Sequence, residues 1–357
     1  MNILLITDLY PVEPDEPTTP RTLFDFVKEW EKLGHKVDII KPNFILNSFL
    51  RKKPFYKTGQ YNNVFNVNYI SPFWFDVSSK LYNLPNYDIV IAHMPSGILY
   101  ADKLGLAFVA GIHCSDIEVL TKPLYKIHFK KRLEKALKNA KAIACRSFVL
   151  QEKLLKLYPE FEEKTFVAPS GVNEKFIMPV KKDAFNLHYP IKVLTCAHFK
   201  KRKNIDKIIE ACKGLESFEL TVIGDGKERK ALEAIDKNVK FLGRLPHDEV
   251  LSKMRENDIF VLPSINETFG MVYLEAMASG CITVCTKGDG IDGIIKNGVN
   301  GFLVEPNSES IKETLLNIKK LSENELNALY NNGFATIKEN TSVLCAERYL
   351  QQILKIM

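Results

Sequence analysis

No stretch of this 357-residue chain approaches the roughly 18 to 20 uninterrupted apolar residues needed to cross a bilayer, because Lys, Asp or Glu breaks every apolar run. A soluble or peripheral protein is therefore expected. The opening Met1-Asn2-Ile3-Leu4-Leu5-Ile6 is too short for a secretory core and lacks a basic leader and a small-residue cleavage site, so it reads as a buried first strand of a cytoplasmic protein. Cysteine is not arranged for disulfides or zinc. The seven (Cys114, Cys145, Cys196, Cys212, Cys281, Cys285, Cys345) are odd in number and mostly lie in apolar runs. Only Cys281 and Cys285 are close, with no second pair or histidine cluster at matching spacing, so the set reads as reduced packing residues. No metal or cofactor is expected. Nor is there a large excess of one charge: 49 Lys and Arg against 43 Asp and Glu leave +6, which favours weak attraction to phosphate or anionic surfaces without calling for nucleic acid. No internal repeat appears.

What is present is 46% hydrophobic and 26% charged residues over a length of about two average domains. Short apolar runs alternate with helical patterns, which argues for parallel sheets. The first half offers strands at 2–8, 36–41, 87–92, 106–112, 141–145 and 164–168. Between the first two, Leu23, Phe24, Phe26, Val27, Trp30 and Leu33 recur at helical spacing and Gly34 supplies the stop. After a proline-punctuated stretch from Pro169 to Pro190, a second series runs 191–197, 218–223, 239–242, 258–262 and 282–285. The expected architecture is α/β, with two doubly wound sheets facing each other across a cleft. The first domain spans 1–170, the second 171–341, and a last helix over about 342–357 is expected to pack back on the first. The irregular stretch 42–63 carries Phe44-Ile45-Leu46, Arg51-Lys52-Lys53 and Phe55-Tyr56, unlike a solvated linker, and is a candidate for touching an acceptor or a membrane.

Chemistry concentrates in the second half. Glu267-Thr268-Phe269-Gly270-Met271-Val272-Tyr273-Leu274-Glu275 follows a strand ending at Val261-Leu262-Pro263. A helix starting near Met271 places Glu267 on the loop before it and Glu275 about one turn inside, both near an end whose free N–H groups attract anions. A nucleotide sugar suits that layout, with its diphosphate at the helix end and hydroxyls on each carboxylate. Taken alone, two glutamates flanking a helix start are equally well a cap and a solvated side chain. Gly224-Asp225-Gly226 follows the strand 218–223, and its glycines permit close approach of a ligand. The run continues Lys227-Glu228-Arg229 without a third glycine, which disfavours a nicotinamide-dependent oxidoreductase.

The run from Leu262 to Gly280 resembles the signature of family 4 retaining glycosyltransferases, whose GT-B fold pairs two Rossmann-like domains. Further matching pieces are Leu4 to Pro11, Gly34-His35-Lys36-Val37, Ser170-Gly171-Val172-Asn173 with Phe176 and Pro179, Lys203-Asn204-Ile205-Asp206, Gly224-Asp225-Gly226, and Asn297 to Val304. The resemblance implies that Glu267 binds donor-sugar hydroxyls, that Glu275 binds the ribose, and that backbone N–H groups from Phe269, Gly270, Met271 and Val272 meet the sugar and diphosphate. It makes Lys203 the cation that neutralises the leaving diphosphate, against the plain reading of one more solvated lysine beside Lys200, Lys201 and Arg202. It also makes His113, which ends the strand 106–112 and precedes Cys114-Ser115-Asp116, a histidine approaching the donor sugar. The plain reading there is a buried or capping histidine.

Three departures qualify the match. The family arginine five residues before the lysine is His198 here, so that either Arg202 compensates or His198 hydrogen-bonds the phosphate without a full charge. The glycine-rich loop after the first strand is replaced by Pro11 through Arg21, where Asp15, Glu16, Thr18, Thr19 and Arg21 offer hydrogen bonds to an acceptor or form a stiff solvated loop. Gly293 stands where relatives commonly place an acidic residue. Separately, Lys126, Lys130, Lys131, Lys135, Lys138 and Lys141 lie with Leu124, Ile127, Phe129, Leu133 and Leu137 on a basic amphipathic pattern. That is a solvated helix face or a contact with anionic membrane.

The implied activity is transfer of a hexose or N-acetylhexosamine from a nucleoside-diphosphate sugar to a saccharide or lipid-linked acceptor, with retention, in surface glycan assembly. Its alternatives are a sugar-nucleotide epimerase on the same fold and a catalytically idle nucleotide-sugar-binding subunit.

Overall fold

A computed structural model of the chain describes residues 1–11, 22–44, 63–70, 75–76, 86–125, 129–177 and 185–356. The expectations placed on residues 12–21, on 45–62, on Lys126 and Ile127, and on Pro179 lie outside these. The chain forms two compact units: Met1–Arg146 with Leu150–Pro169 and Cys345–Met357, and Ser147–Val149 with Ser170–Leu344.

The first unit is built on β1 (Asn2–Ile6), β2 (Lys36–Phe44), β3 (Asn63–Ile70), β4 (Phe75–Asp76), β5 (Ile89–His93), β6 (Val109–Ile112), β7 (Ala142–Cys145) and β8 (Thr165–Val167). They run in the order β4-β3-β2-β1-β5-β6-β7-β8, parallel throughout except for the β3–β4 pair. In β1, Ile3 and Leu5 join Phe26 and Trp30 in one core, whereas Leu4 and Ile6 join Ile98 and Phe108 in the other. Strands buried on both faces are what a sheet with helices on each side requires. Each such Leu or Ile contributes roughly 1.5–3 kcal/mol of burial. The last helix, Ser342–Ile356, puts Cys345, Ala346, Tyr349, Leu350 and Ile353 into the Trp30 core, and Trp30 Nε1 donates to the Ala346 carbonyl at 3.0 Å.

The second unit contains β9 (Ile191–Cys196), β10 (Phe218–Ile223), β11 (Lys240–Gly243), β12 (Ile259–Leu262), β13 (Ile282–Thr286) and β14 (Phe302–Val304), in the all-parallel order β11-β10-β9-β12-β13-β14. Here too alternate residues face opposite cores: Ile259 and Val261 one way, Phe260 and Leu262 the other. Strand order reverses between β1 and β5 in one sheet and between β9 and β12 in the other. The crevice outside the carboxyl ends at such a reversal is where doubly wound sheets place ligands.

Three strands escaped the sequence reading. β3 carries Asn63, Asn66 and Asn68 among its apolar residues, β4 has two residues, and β14 three, too short for periodicity to register. Among the described residues, the basic pattern around residue 130 forms a helix over Phe129–Asn139. It buries Leu133, Ala136 and Leu137 and leaves Lys131, Lys135 and Lys138 exposed.

Candidate functional site

The loops after β9 and β12 meet at the reversal point of the second sheet. After Cys196 the chain passes the exposed His198 and makes a short 3-10 turn at Lys201–Lys203, closed by Asn204 at φ 50°. Asn204 Nδ2 donates to the Pro263 carbonyl at 2.8 Å, and the Ile265 amide donates to the Arg202 carbonyl at 2.8 Å. The two loops are thereby stitched together.

Their side chains converge on Glu267 Oε1. Lys203 Nζ donates to it, as do Arg202 Nη1 at 2.7 Å and Ser264 Oγ at 3.1 Å. The Lys203 and Glu267 side chains are only 14% and 15% exposed. Burial pushes the Glu267 carboxyl up, but the charges of Lys203 and Arg202 and the hydrogen bonds from Lys203 and Ser264 outweigh it and hold it below the ordinary 4.5. The carboxylate is therefore ionised at neutral pH, a ready acceptor for hydroxyls.

Beneath it, buried Asp289 accepts from the Asn266 amide (2.5 Å) and the Glu267 amide (2.9 Å), pinning a turn in which Asn266 takes φ 60°. Gly290 lets this segment close up, since a Cβ there would stand 2.8 Å from the Phe269 carbonyl oxygen and 2.9 Å from Glu267 Cβ.

The helix Met271–Ala278 begins at Gly270, φ 93°, where a Cβ would lie 2.3 Å from the ring of Tyr273. Tyr273 donates its hydroxyl to the Leu262 carbonyl at 2.8 Å and pairs with Ser264 Oγ at 3.0 Å, tying the helix to the end of β12. No side chain caps this helix, so the Met271 and Val272 amides have no acceptor within it and offer an anion-binding end next to Phe269 and Gly270. One turn in, Glu275 Oε1 meets His247 Nε2 at 3.0 Å, and the Phe176 and His247 rings pack T-shaped at 4.9 Å between centroids. The bond to Glu275 raises the His247 pKa above the ordinary 6.5, against the opposing effect of burial. A raised histidine adds stability that is complete below its unfolded value and is lost as pH rises through the folded one. In an NMR titration His247 is accordingly expected to turn over above 6.5 and to move down in Glu275→Gln; an unchanged midpoint would dissolve the pair.

Gly224 follows β10 at φ 130°, and a Cβ there would stand 1.9 Å from the Ala197 carbonyl oxygen, so one closeness this glycine serves is to the chain's own loop after β9. Lys203, Arg202, Glu267, Phe269, Gly270, Met271 and Val272 thus form one cluster, with Glu275 along the helix and Gly224 packed on the loop that bears His198.

His113 belongs to the other unit. It ends β6, is 6% exposed, and its amide donates to Asp116 Oδ2 at 2.8 Å at the start of the helix Cys114–Thr121. Burial, with Arg146 nearby, lowers its pKa to about 3, so the ring is neutral.

Ser264, Tyr273, Asp289 and His247 were not singled out from the sequence. Asp289 had a usable signal, an acidic residue just past the carboxyl end of β13. His247 had none, since its partner lies 28 residues away.

Two family models match the chain: one described as Glycosyltransferase Family 4 over residues 19–176, the other as Glycosyl transferases group 1 over residues 181–335. The uncharacterized glycosyltransferase MJ1178 of Methanocaldococcus jannaschii is 28% identical over 74% of this chain and 77% of its own length. Among solved structures, a sucrose-phosphate synthase from Thermosynechococcus elongatus superposes with a TM-score of 0.72 at 16% identity, covering 99% of this chain and 98% of that one. HepE of Anabaena, in complex with UDP and glucose, gives 0.67 at 16% identity over 99% of each. Those likenesses establish the fold, the GT-B arrangement of two Rossmann-like domains. The two family models, which together match most of the chain, place it among the family 4, group 1 glycosyltransferases.

Proposed function

We propose that the enzyme moves a hexose or N-acetylhexosamine from a nucleoside-diphosphate sugar to a saccharide or lipid-linked acceptor, retaining the anomeric configuration. The observation that carries this reading is the convergence of Lys203 and Arg202 on the ionised Glu267, beside the uncapped helix end at Gly270. In the free enzyme the two cations neutralise Glu267. An arriving diphosphate competes for them and for the Met271 and Val272 amides, freeing Glu267 to accept hydrogen bonds from sugar hydroxyls. As the bond to the diphosphate lengthens, negative charge grows where the Lys203 ammonium already stands, which lowers the barrier rather than merely tightening binding. The acceptor attacks from the leaving-group face. His113 enters as a neutral imidazole that donates or accepts a hydrogen bond, and Glu275 accepts from the ribose hydroxyls, either alongside its bond to His247 or in place of it.

The same reading needs no metal or cofactor and sets the enzyme in the cytoplasm. Among the described residues no helix is long and apolar enough to cross a membrane. Exposed Lys131, Lys135 and Lys138 offer peripheral contact with anionic lipid.

A thermal-shift screen against UDP, GDP, ADP and their sugars tests the donor site. One base is expected to raise Tm by several degrees, the consequence of about 2.7 kcal/mol at a hundredfold excess over Kd. The shift should be lost in Glu275→Ala. No shift with any nucleotide would remove the donor site, a shift without turnover on any acceptor would favour an idle subunit, and donor conversion without acceptor would favour an epimerase.

A further inference from the structure

Three buried groups of the first unit form a continuous hydrogen-bonded chain. The Tyr349 hydroxyl lies 3.0 Å from His93 Nε2, and His93 Nδ1 lies 2.9 Å from His113 Nε2. Tyr349 is 1% exposed, His93 0% and His113 6%, so water does not compete for any link. The two rings meet edge to face at 5.1 Å. Room for this contact comes from Gly111, where a Cβ would stand 2.1 Å from His93 Nδ1. Tyr349 is itself held by the rings of Phe26, Trp30 and Phe166 at 5.5 to 5.9 Å.

We propose that Tyr349, acting through His93, is a positioning residue that locks His113 in one tautomer and one ring orientation at the end of β6. A neutral imidazole carries a single N–H, and each link of the chain holds a single proton. Of the chain's two possible orders, only the one running from Tyr349 to His113 satisfies the buried tyrosine proton, because among the described residues that hydroxyl has no hydrogen-bond partner besides His93; His93 then donates through Nδ1 to His113 Nε2, which leaves the His113 proton on Nδ1. Charging either ring to escape this limit is disfavoured, because burial first, and then the nearby Arg146, holds both histidines below the ordinary 6.5. The functional consequence is that the C-terminal helix, 256 residues beyond His93 in sequence, sets the hydrogen-bonding face of a histidine at a strand end. Any role in the reaction rests on the proposed part played by His113, whereas the locking itself does not.

The test uses the full chain with 15N-labelled histidine and a substitution, Tyr349→Phe, that preserves the packed ring. Long-range proton–nitrogen spectra of the wild type are expected to show His113 as a single neutral tautomer, and those of Tyr349→Phe a mixture. Turnover of Tyr349→Phe should fall about tenfold or more through kcat with the donor KM little changed, as when an orienting hydrogen bond behind a functional imidazole is lost. His93→Leu, which removes both ring nitrogens and so cuts the chain while Tyr349 keeps the Phe26, Trp30 and Phe166 rings around it, should reproduce the fall. A folded Tyr349→Phe with the wild-type His113 spectrum overturns the proposal. His113→Ala separates the two layers: full activity there removes His113 from the reaction while leaving the tautomer result to stand on its own.

Discussion

Glu267→Ala is expected to reduce turnover roughly a hundredfold or more while the protein still folds. Glu267 is the single point at which Lys203, Arg202 and Ser264 meet, so its loss removes the acceptor for sugar hydroxyls and also releases both cations. Folding should survive with some loss of stability: the well-exposed Arg202 pair contributes about 0–1 kcal/mol, and the larger part of the loss falls on the mostly buried Lys203, deprived of its carboxylate. Donor binding should weaken far less than turnover, since the freed cations remain available to the diphosphate. The measurement is steady-state kinetics on a variant whose melting curve shows it folded at the assay temperature. Near-normal kcat in such a variant would remove Glu267 from the mechanism. Glu267→Gln refines the result: an amide still accepts from a hydroxyl but no longer neutralises Lys203, so partial recovery would assign the loss to hydrogen bonding rather than to charge.

How much of this site could be read in advance follows from what each part depends on. The two parallel sheets were legible because β1, β9 and β12 are short apolar runs bounded by breaks, a local property. β3 was not, because alternating asparagines mask its strand pattern. The glutamates and Lys203 stood out by motif and by their place after strands. What no local pattern contained was the pairing inside the cluster, in which Lys203 and Glu267 bind each other across 64 residues of sequence. The same holds for the seat of His113: its spacing from Asp116 was visible, but the His93 ring that occupies its Nε2 comes from a different strand. Long-range pairings are set by sheet order, and sheet order is a property of the assembled fold.

Asp289 carries this point furthest, since its contribution is entirely tertiary. Its two carboxylate oxygens accept the Asn266 and Glu267 amides, and the turn they hold includes a non-glycine residue at φ 60°. Asparagine is among the few non-glycine residues that tolerate this left-handed region, so the turn is accessible to the chain and Asp289 selects it. Asp289→Ala would leave two part-buried amides without their acceptor, at up to about 1.5 kcal/mol each. The expected result is a loss of up to about 3 kcal/mol in denaturant unfolding together with a marked drop in kcat, because the Glu267 backbone would no longer be fixed relative to Lys203. Asp289→Asn is the informative partner. Its single side-chain oxygen can satisfy one amide while its NH2 faces the other, so it should recover part of the stability and less of the activity. Stability and turnover that both stay at wild-type levels in Asp289→Ala would mean that the turn is held by Gly290 and Tyr273 packing alone. Unchanged stability with lost turnover would instead make Asp289 a participant in ligand binding rather than a support for Glu267.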